Sequence, residues 1–302
     1  MIRAERLLDP GVLGRYDGLA LAVRRGLGER PGERRFPGRA QASGGEVESW
    51  AAYAPGDDLR HLDWNAVGRL DALLVRRFVA EREVLFHLLV DASASMGVPA
   101  RDGKFAAACE LTMALAFVAL ASNDAVRLAV LAGEGSARPS RVYRQRASAR
   151  EVAAALAAAT PGGALALGAA LEAYARRQPR PGAALVVSDL MMEPAEVERG
   201  LGALRARGWD VALLQVIGPG ERDPARELLQ GVLRDVESGA RQAVRLTPAV
   251  RARYRDAFDA HLAALAAVAA RTGVPYARLE AGASVVAFVV SELGRLGMVR
   301  RR

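Results

Sequence analysis

One cysteine and three histidines in 302 residues leave little room for thiol or imidazole chemistry. Cys109 by itself forms no intrachain disulfide and no cysteine cage for zinc. His61, His87 and His261 are too scattered for a histidine metal site. Long apolar runs are missing too: the longest, Leu111 to Ala121 with Thr112 inside it, falls short of the roughly 18 residues a spanning helix needs. Met1 to Arg6 alternates charges and has no apolar core of a secretory signal. The expectation is a cytoplasmic protein with no membrane span. Neither Gly-x-x-x-x-Gly-Lys-Ser/Thr nor Gly-x-Gly-x-x-Gly stands after a strand-like run, which argues against a nucleotide site. Lysine is nearly absent as well, since Lys104 is the only one among 42 basic residues.

What is present describes an ordinary folded chain. The composition, 51% hydrophobic and 25% charged, excludes disorder and low-complexity states, and the length fits one large domain or two of common size. Abundant arginine and alanine suggest GC-rich coding. The net charge of +8 is a local surplus: Arg138, Arg141, Arg144, Arg146 and Arg150 cluster, and Arg300 to Arg302 end the chain. A solvated loop or hairpin face is the plain reading of the cluster; a contact for an acidic partner or a phosphate backbone is the sharper one.

Periodicity divides the chain near residue 83. Residues 1–83 read as loops and short strands, rich in Gly, Pro and Arg from Gly26 to Gly45, then anchored by Trp50, Tyr53, Trp64 and Phe78. From residue 84 the text alternates. Val84 to Val90 is a continuous apolar run ending at Asp91, as expected of a buried parallel strand. Lys104 to Ser122 follows as a helix with Phe105, Ala108, Leu111, Thr112, Leu115 and Val118 on one face. Strands over Val126–Leu131, Ala183–Ser188 and Val211–Ile217 interleave with helices over 149–159, 165–177 and 194–207. A polar insertion over 221–247 with an edge hairpin precedes a helix over 250–272 and a last one near 285–296. Alternation of this kind predicts an α/β doubly wound, mostly parallel sheet flanked by helices, in a domain 84–302 behind a smaller β-rich region 1–83.

In such a sheet the functional crevice lies beyond the carboxyl ends of the strands, and two strands here end in aspartate. The first continues Asp91-Ala92-Ser93-Ala94-Ser95-Met96-Gly97; the second is Val186-Val187-Ser188-Asp189. Carboxylate and hydroxyl oxygens suit a hard cation such as Mg²⁺ or Mn²⁺. The competing reading is that these side chains bond the turns and cap helices. Cys109, on an apolar helix face, reads as a small buried hydrophobe.

Asp-x-Ser-x-Ser after a buried strand resembles the first element of the metal-ion-dependent adhesion site in von Willebrand factor A domains, and Asp189 matches that site's later aspartate. Tyr53-Ala54-Pro55-Gly56-Asp57-Asp58-Leu59-Arg60-His61-Leu62-Asp63-Trp64 resembles the signature of the bacterial family catalogued as domain of unknown function 58. Glu81, Asp223-Pro224-Ala225-Arg226-Glu227 and Leu233 to Gly239 fit that pattern too. The resemblance implies a von Willebrand factor A-like fold with a divalent ion, Mg²⁺ or Mn²⁺, at Asp91, Ser93, Ser95 and Asp189. It also implies a non-enzymatic interaction module partnered by a MoxR-type AAA+ ATPase in the assembly or activation of other complexes. One departure stands out. The usual threonine of a Gly-Gly-Thr turn is replaced by Ala164 in Thr160-Pro161-Gly162-Gly163-Ala164, and Thr160 substitutes only if the loop folds back. For the Tyr53 to Trp64 stretch the residues themselves suggest a tight turn at Pro55-Gly56, local pairing of Asp57 and Asp58 with Arg60 or Arg69, and Trp64 packed on the sheet.

Two other function classes remain open on sequence. An aspartyl phosphotransferase or phosphatase would use Asp91 as nucleophile, but Ser93 stands where that chemistry wants a second carboxylate. A nucleic-acid-binding protein would use the Arg138 to Arg150 cluster and show steep salt dependence.

Overall fold

The computed structural model describes residues 2–22, 47–70, 72–78, 84–133, 138–179, 181–222 and 230–302. In chain order the N-terminal segment gives α1 (Ala4–Leu7), α2 (Pro10–Leu13) and β1 (Leu19–Leu21). A separate stretch holds β2 (Val47–Ala52), α3 (Trp64–Leu70) and β3 (Leu74–Phe78). The alternating part then runs β4 (Leu85–Asp91), α4 (Lys104–Ala121), β5 (Ala125–Leu131), β6 (Arg138–Pro139), α5 (Ala149–Ala158), α6 (Leu167–Arg177), β7 (Ala183–Ser188), α7 (Pro194–Ala206), β8 (Asp210–Ile217) and α8 (Pro219–Arg222). It closes with β9 (Gln230–Arg234), β10 (Arg241–Arg245), α9 (Pro248–Thr272), β11 (Tyr276–Glu280) and β12 (Val299–Arg301). Between the last two strands lies a helical stretch, Val285–Ala287, a π turn over Phe288–Glu292, and Leu293–Arg295.

The apolar runs become the centre of a six-stranded sheet in the order β11-β8-β7-β4-β5-β6, parallel except for β6. The expected α/β doubly wound, mostly parallel sheet flanked by helices is therefore observed. β4 and β7 are buried along nearly their whole length because helices cover both faces of the sheet. One layer packs α4 and α5 against Phe86, Leu88 and Val90; the other packs α6, α7 and α9 against Leu89, Val186 and Leu213.

Helix α4 departs from the one-faced reading. It is apolar and buried on nearly every side, as a helix enclosed between layers must be. The stretch Ala100–Ala121 is long and apolar enough by composition to cross a membrane, and 78% of its most apolar window is buried inside the molecule. Thr112 is accommodated by donating its hydroxyl to the Ala108 carbonyl at 2.7 Å.

A helix apolar all round needs a cover on its outer side, and this corrects the assignment of the chain's first residues to the smaller region. The compact units are Met1–Gly28 together with Val84–Arg302, and Glu29–Glu83. Leu7, Tyr16, Leu19 and Leu21 are buried in the core that surrounds α4, and β1 pairs antiparallel with β12, Leu19 opposite Arg301. The start of the chain thus belongs to the α/β unit. The expected 221–247 segment does carry a hairpin, but not as an edge of the main sheet. Glu221 and Arg222 end α8, and the hairpin β9–β10 forms its own two-stranded sheet. The edge of the main sheet is taken by β11.

Within the smaller unit, β2 and β3 pair antiparallel. The Tyr53 to Trp64 motif makes the turn between them. Asp57 accepts the Ala54 amide at 2.9 Å, and Asp58 holds both the backbone and the guanidinium of Arg60. Asp63 caps α3 through the amides of Asn65 and Ala66 and accepts the Trp50 indole N–H at 2.9 Å. Trp64 does not pack on the sheet as expected: it opens α3 and is 68% exposed. Glu81 and Asp223 to Glu227 of the motif set lie outside the described residues.

Candidate functional site

Strand order fixes where the site is. From β4 the chain moves to β5 on one side and later returns as β7 on the other, so the sheet changes direction of winding between β4 and β7. Residues following these neighbours share the crevice at that switch point. Asp91 ends β4 and Asp189 follows β7, which brings together two carboxylates almost a hundred residues apart in sequence.

Asp91 is engaged on both oxygens. Oδ1 accepts the Ser93 amide at 2.7 Å, and Oδ2 accepts the Ser188 hydroxyl at 2.6 Å. The Ser188 hydroxyl in turn accepts the Leu190 amide at 3.0 Å. Ser93 and Ser95 bond to each other through their hydroxyls at 2.9 Å. Asp189 Oδ1 accepts the Met191 amide at 3.2 Å. The turn that carries Asp189 is strained, since Leu190 has φ +56, a conformation that costs about 1–2 kcal/mol in a non-glycine residue. It is held there by Gln215, whose amide donates to the Asp189 carbonyl at 2.7 Å, and by His261, bonded to the Leu190 carbonyl at 2.9 Å.

The residue that sequence reasoning missed is Lys104, the first of α4. Its ammonium donates to Asp189 Oδ2 at 2.9 Å and to Glu221 Oε1, while 1% of its side chain is exposed. Glu221 is set by Gly218, whose amide it accepts at 2.8 Å, and by the Tyr254 hydroxyl on its carbonyl. The α8 loop presses against the loop before α4: Gly220 donates to Asp102 at 2.7 Å, and a Cβ on Gly218 or Gly220 would fall 2.4 or 2.8 Å from the Asp102 carboxylate. Only glycine permits that approach. The available signal in sequence was compositional: a solitary lysine where arginine is the default basic residue.

Electrostatics separate the members. Burial, and then the neighbouring Asp189 charge, push Asp91 up to about 6, against the pull of its bonds from Ser188 and Ser93. Burial works against the Lys104 ammonium, but Asp189 and Glu221 outweigh it and hold its pKa above the ordinary lysine value. Asp91, Asp189 and Lys104 are each 1% exposed, so Asp91 is not presented to a substrate as a nucleophile.

The divalent ion implied by the resemblance was expected on Asp91, Ser93, Ser95 and Asp189. The loop of the missing threonine does lie alongside, with Ala94 donating to the Gly163 carbonyl and Gly162 to the Ala92 carbonyl. Ala164 offers it a methyl group, and Thr160 is exposed on a groove beside Met96, Gly97 and Lys104. With both Asp91 oxygens engaged and a buried ammonium on Asp189, the side chains as arranged do not fit such an ion. Among the described residues no group of three or more His, Cys, Asp or Glu is disposed to hold one.

Elsewhere, two arginines of the cluster have partners within the molecule. Arg141 bonds Glu151 and lies over Tyr143, and Arg146 bonds Asp17 at 2.9 Å and lies over Phe117. Cys109 is buried as expected, its thiol pushed up to about 12 by burial and by Glu110. Beside the rim runs a groove of about 550 Å³, lined among others by Ile2, Arg3, Met96, Phe105, Thr160 and Pro161.

The model of the family described as "Protein of unknown function DUF58" matches residues 49–264. "Uncharacterized protein Rv1480" of Mycobacterium tuberculosis (strain ATCC 25618 / H37Rv) and "Uncharacterized protein Mb1516" of Mycobacterium bovis are each 30% identical, over 95% of this chain and 88% of the relative. Among solved structures, the conserved hypothetical protein BatB from Bacteroides thetaiotaomicron is 18% identical with a TM-score of 0.41, over 70% of this chain and 98% of that one. Manganese-loaded Plasmodium vivax TRAP protein is 16% identical with a TM-score of 0.31, over 45% and 58%. At these scores neither structure bears on function.

Proposed function

Because the chain belongs to the family described as Protein of unknown function DUF58, we propose that it is a non-enzymatic protein-interaction module that works in the cytoplasm with a MoxR-type AAA+ ATPase in assembling or activating other protein complexes. The observation that carries this reading is the rim at the β4/β7 switch point. A rigid set of buried charges, closed to substrates, adjoins an open and mostly apolar groove. A surface of that kind recognises a partner by shape and apolar burial, with the fixed charges holding the surrounding loops in register. The ATPase is implied by the family resemblance, and the cytoplasmic location goes with it.

Two alternatives are weaker for stated reasons. A phosphotransferase needs an accessible nucleophile, and Asp91 is enclosed. A nucleic-acid surface needs free cations, and Arg141 and Arg146 have partners within the chain.

The test is co-purification and calorimetric titration with a MoxR-type AAA+ ATPase from the same organism. Ala100→Glu and Thr160→Glu, both at exposed positions lining the groove, are expected to weaken the complex by about tenfold or more, a change of about 1.4 kcal/mol. Absence of any complex with the wild-type chain, or full affinity in both variants, overturns the reading.

A further inference from the structure

We infer that Lys104 is the resident cation of this rim, its ammonium taking the Asp189 carboxylate that a divalent ion would need, so that the surface operates without metal. The inference rests on the proposed function only for what the rim is used for; the identity of the cation is a property of the isolated chain.

Three features of Lys104 make sense together only on this account. First, its placement is unfavourable in isolation: the first residue of an 18-residue helix sits at the positive end of the macrodipole, and a buried ammonium carries a large desolvation cost. The carboxylates of Asp189 and Glu221 offset both, from loops that follow β7 and β8. Second, the residue type is specific. In a chain where every other basic residue is arginine, this position holds the compact, nearly spherical charge with three donors rather than the planar fork. Of the basic side chains, an ammonium is the one closest in shape to a bound ion. Third, the oxygen donors left to a metal are depleted. Ala164 supplies none, and both Asp91 oxygens are satisfied by the Ser93 amide and the Ser188 hydroxyl.

A consequence follows for recognition. A metal site leaves one coordination position open to an acidic side chain of the partner, whereas the ammonium here is 1% exposed and its bonds are made internally. The partner therefore meets the groove and the loops, with no carboxylate reaching the cation.

The experiment is thermal melting of the full chain in millimolar Mg²⁺ or Mn²⁺, with Mn²⁺ binding followed by electron paramagnetic resonance. The wild-type protein is expected to melt at the same temperature with and without either metal and to leave Mn²⁺ free. Lys104→Ala is expected to melt lower, to bind Mn²⁺ at least about tenfold more tightly than the wild type, and to regain part of its melting temperature when Mn²⁺ is added. Stabilisation of the wild type by either metal, lost in Asp91→Ala, overturns the inference, and so does a folded Lys104→Ala protein indifferent to Mn²⁺. Should Lys104→Ala fail to fold, the wild-type titration decides alone. Failure to bind an ATPase, with the wild type indifferent to metal, would remove the proposed function and leave this inference in place.

Discussion

β4 carries two buried polar groups, and the sheet treats them in opposite ways. His87, near the amino end, is fully enclosed with Tyr174 and Trp209. Its Nδ1 bonds the Tyr174 hydroxyl at 2.7 Å, its ring meets Trp209 edge to face, and among the described residues no acidic side chain pairs with it. Burial, aided by Arg127, pushes its pKa down to about 3, so it stays neutral. At the carboxyl end of the same strand, Asp91 sits in a cluster that also holds Asp189, Glu221 and a cation. One end of the strand excludes charge; the other gathers and compensates it. A protein stabilised only for its own sake has use for the first arrangement, since buried ion pairs are a costly route to stability. The second marks the end where loops converge and where partners are met.

The comparison breaks most visibly at the cation. Lys104→Met leaves Asp189 and Glu221 buried without a counter-charge and is expected to lose about 3–5 kcal/mol in urea unfolding. Adding Asp189→Asn should recover part of that, and strict additivity of the two changes would show that the pair is not coupled.

The two ends also predict opposite responses to pH. The folded-state pKa of His87 lies below the ordinary 6.5, so the unfolded chain binds the extra proton. Its contribution to stability is present above about pH 6.5 and is lost as pH falls toward 3, by about 4 kcal/mol. A His87→Leu variant should lack that acid-side loss, and an unchanged pH profile would refute the neutral buried histidine. Asp91 runs the other way. Its folded-state pKa of about 6 stands above the ordinary 3.8, so the folded chain binds the extra proton, and stability falls by about 2 kcal/mol as pH rises from 4 through 6. Asp91→Asn should therefore gain relative to wild type above pH 6 and lose the gain below pH 4. Because the two effects oppose each other in the same window, the wild-type profile is expected to be flatter than that of either variant.

The smallest effect belongs to the surface. Arg141→Ala removes an exposed pair with Glu151 and should leave the urea-unfolding midpoint essentially unchanged.

Much of the fold could be read from the text because it is written locally. β4 and β7 are short apolar runs ending in aspartate, and α9 has its threonine cap, its first-turn proline and its closing glycine in order. The N-terminal segment was misread for the opposite reason. Leu7, Tyr16, Leu19 and Leu21 are ordinary residues in a short, weakly patterned stretch, and only the bare outer side of α4 makes a place for them. Trp64 was misread because an aromatic residue after a capping aspartate looks like an anchor whether or not anything covers it.

The sequence by itself determined the alternating architecture and the delivery of Asp91 and Asp189 to one rim, since strand ends and helix periods are set by neighbours a few residues away. Only the tertiary structure decided which cation those carboxylates face. Lys104 meets Asp189 across 85 residues and Glu221 across 117, and no local pattern encodes a contact made by folding three separate loops over one crevice.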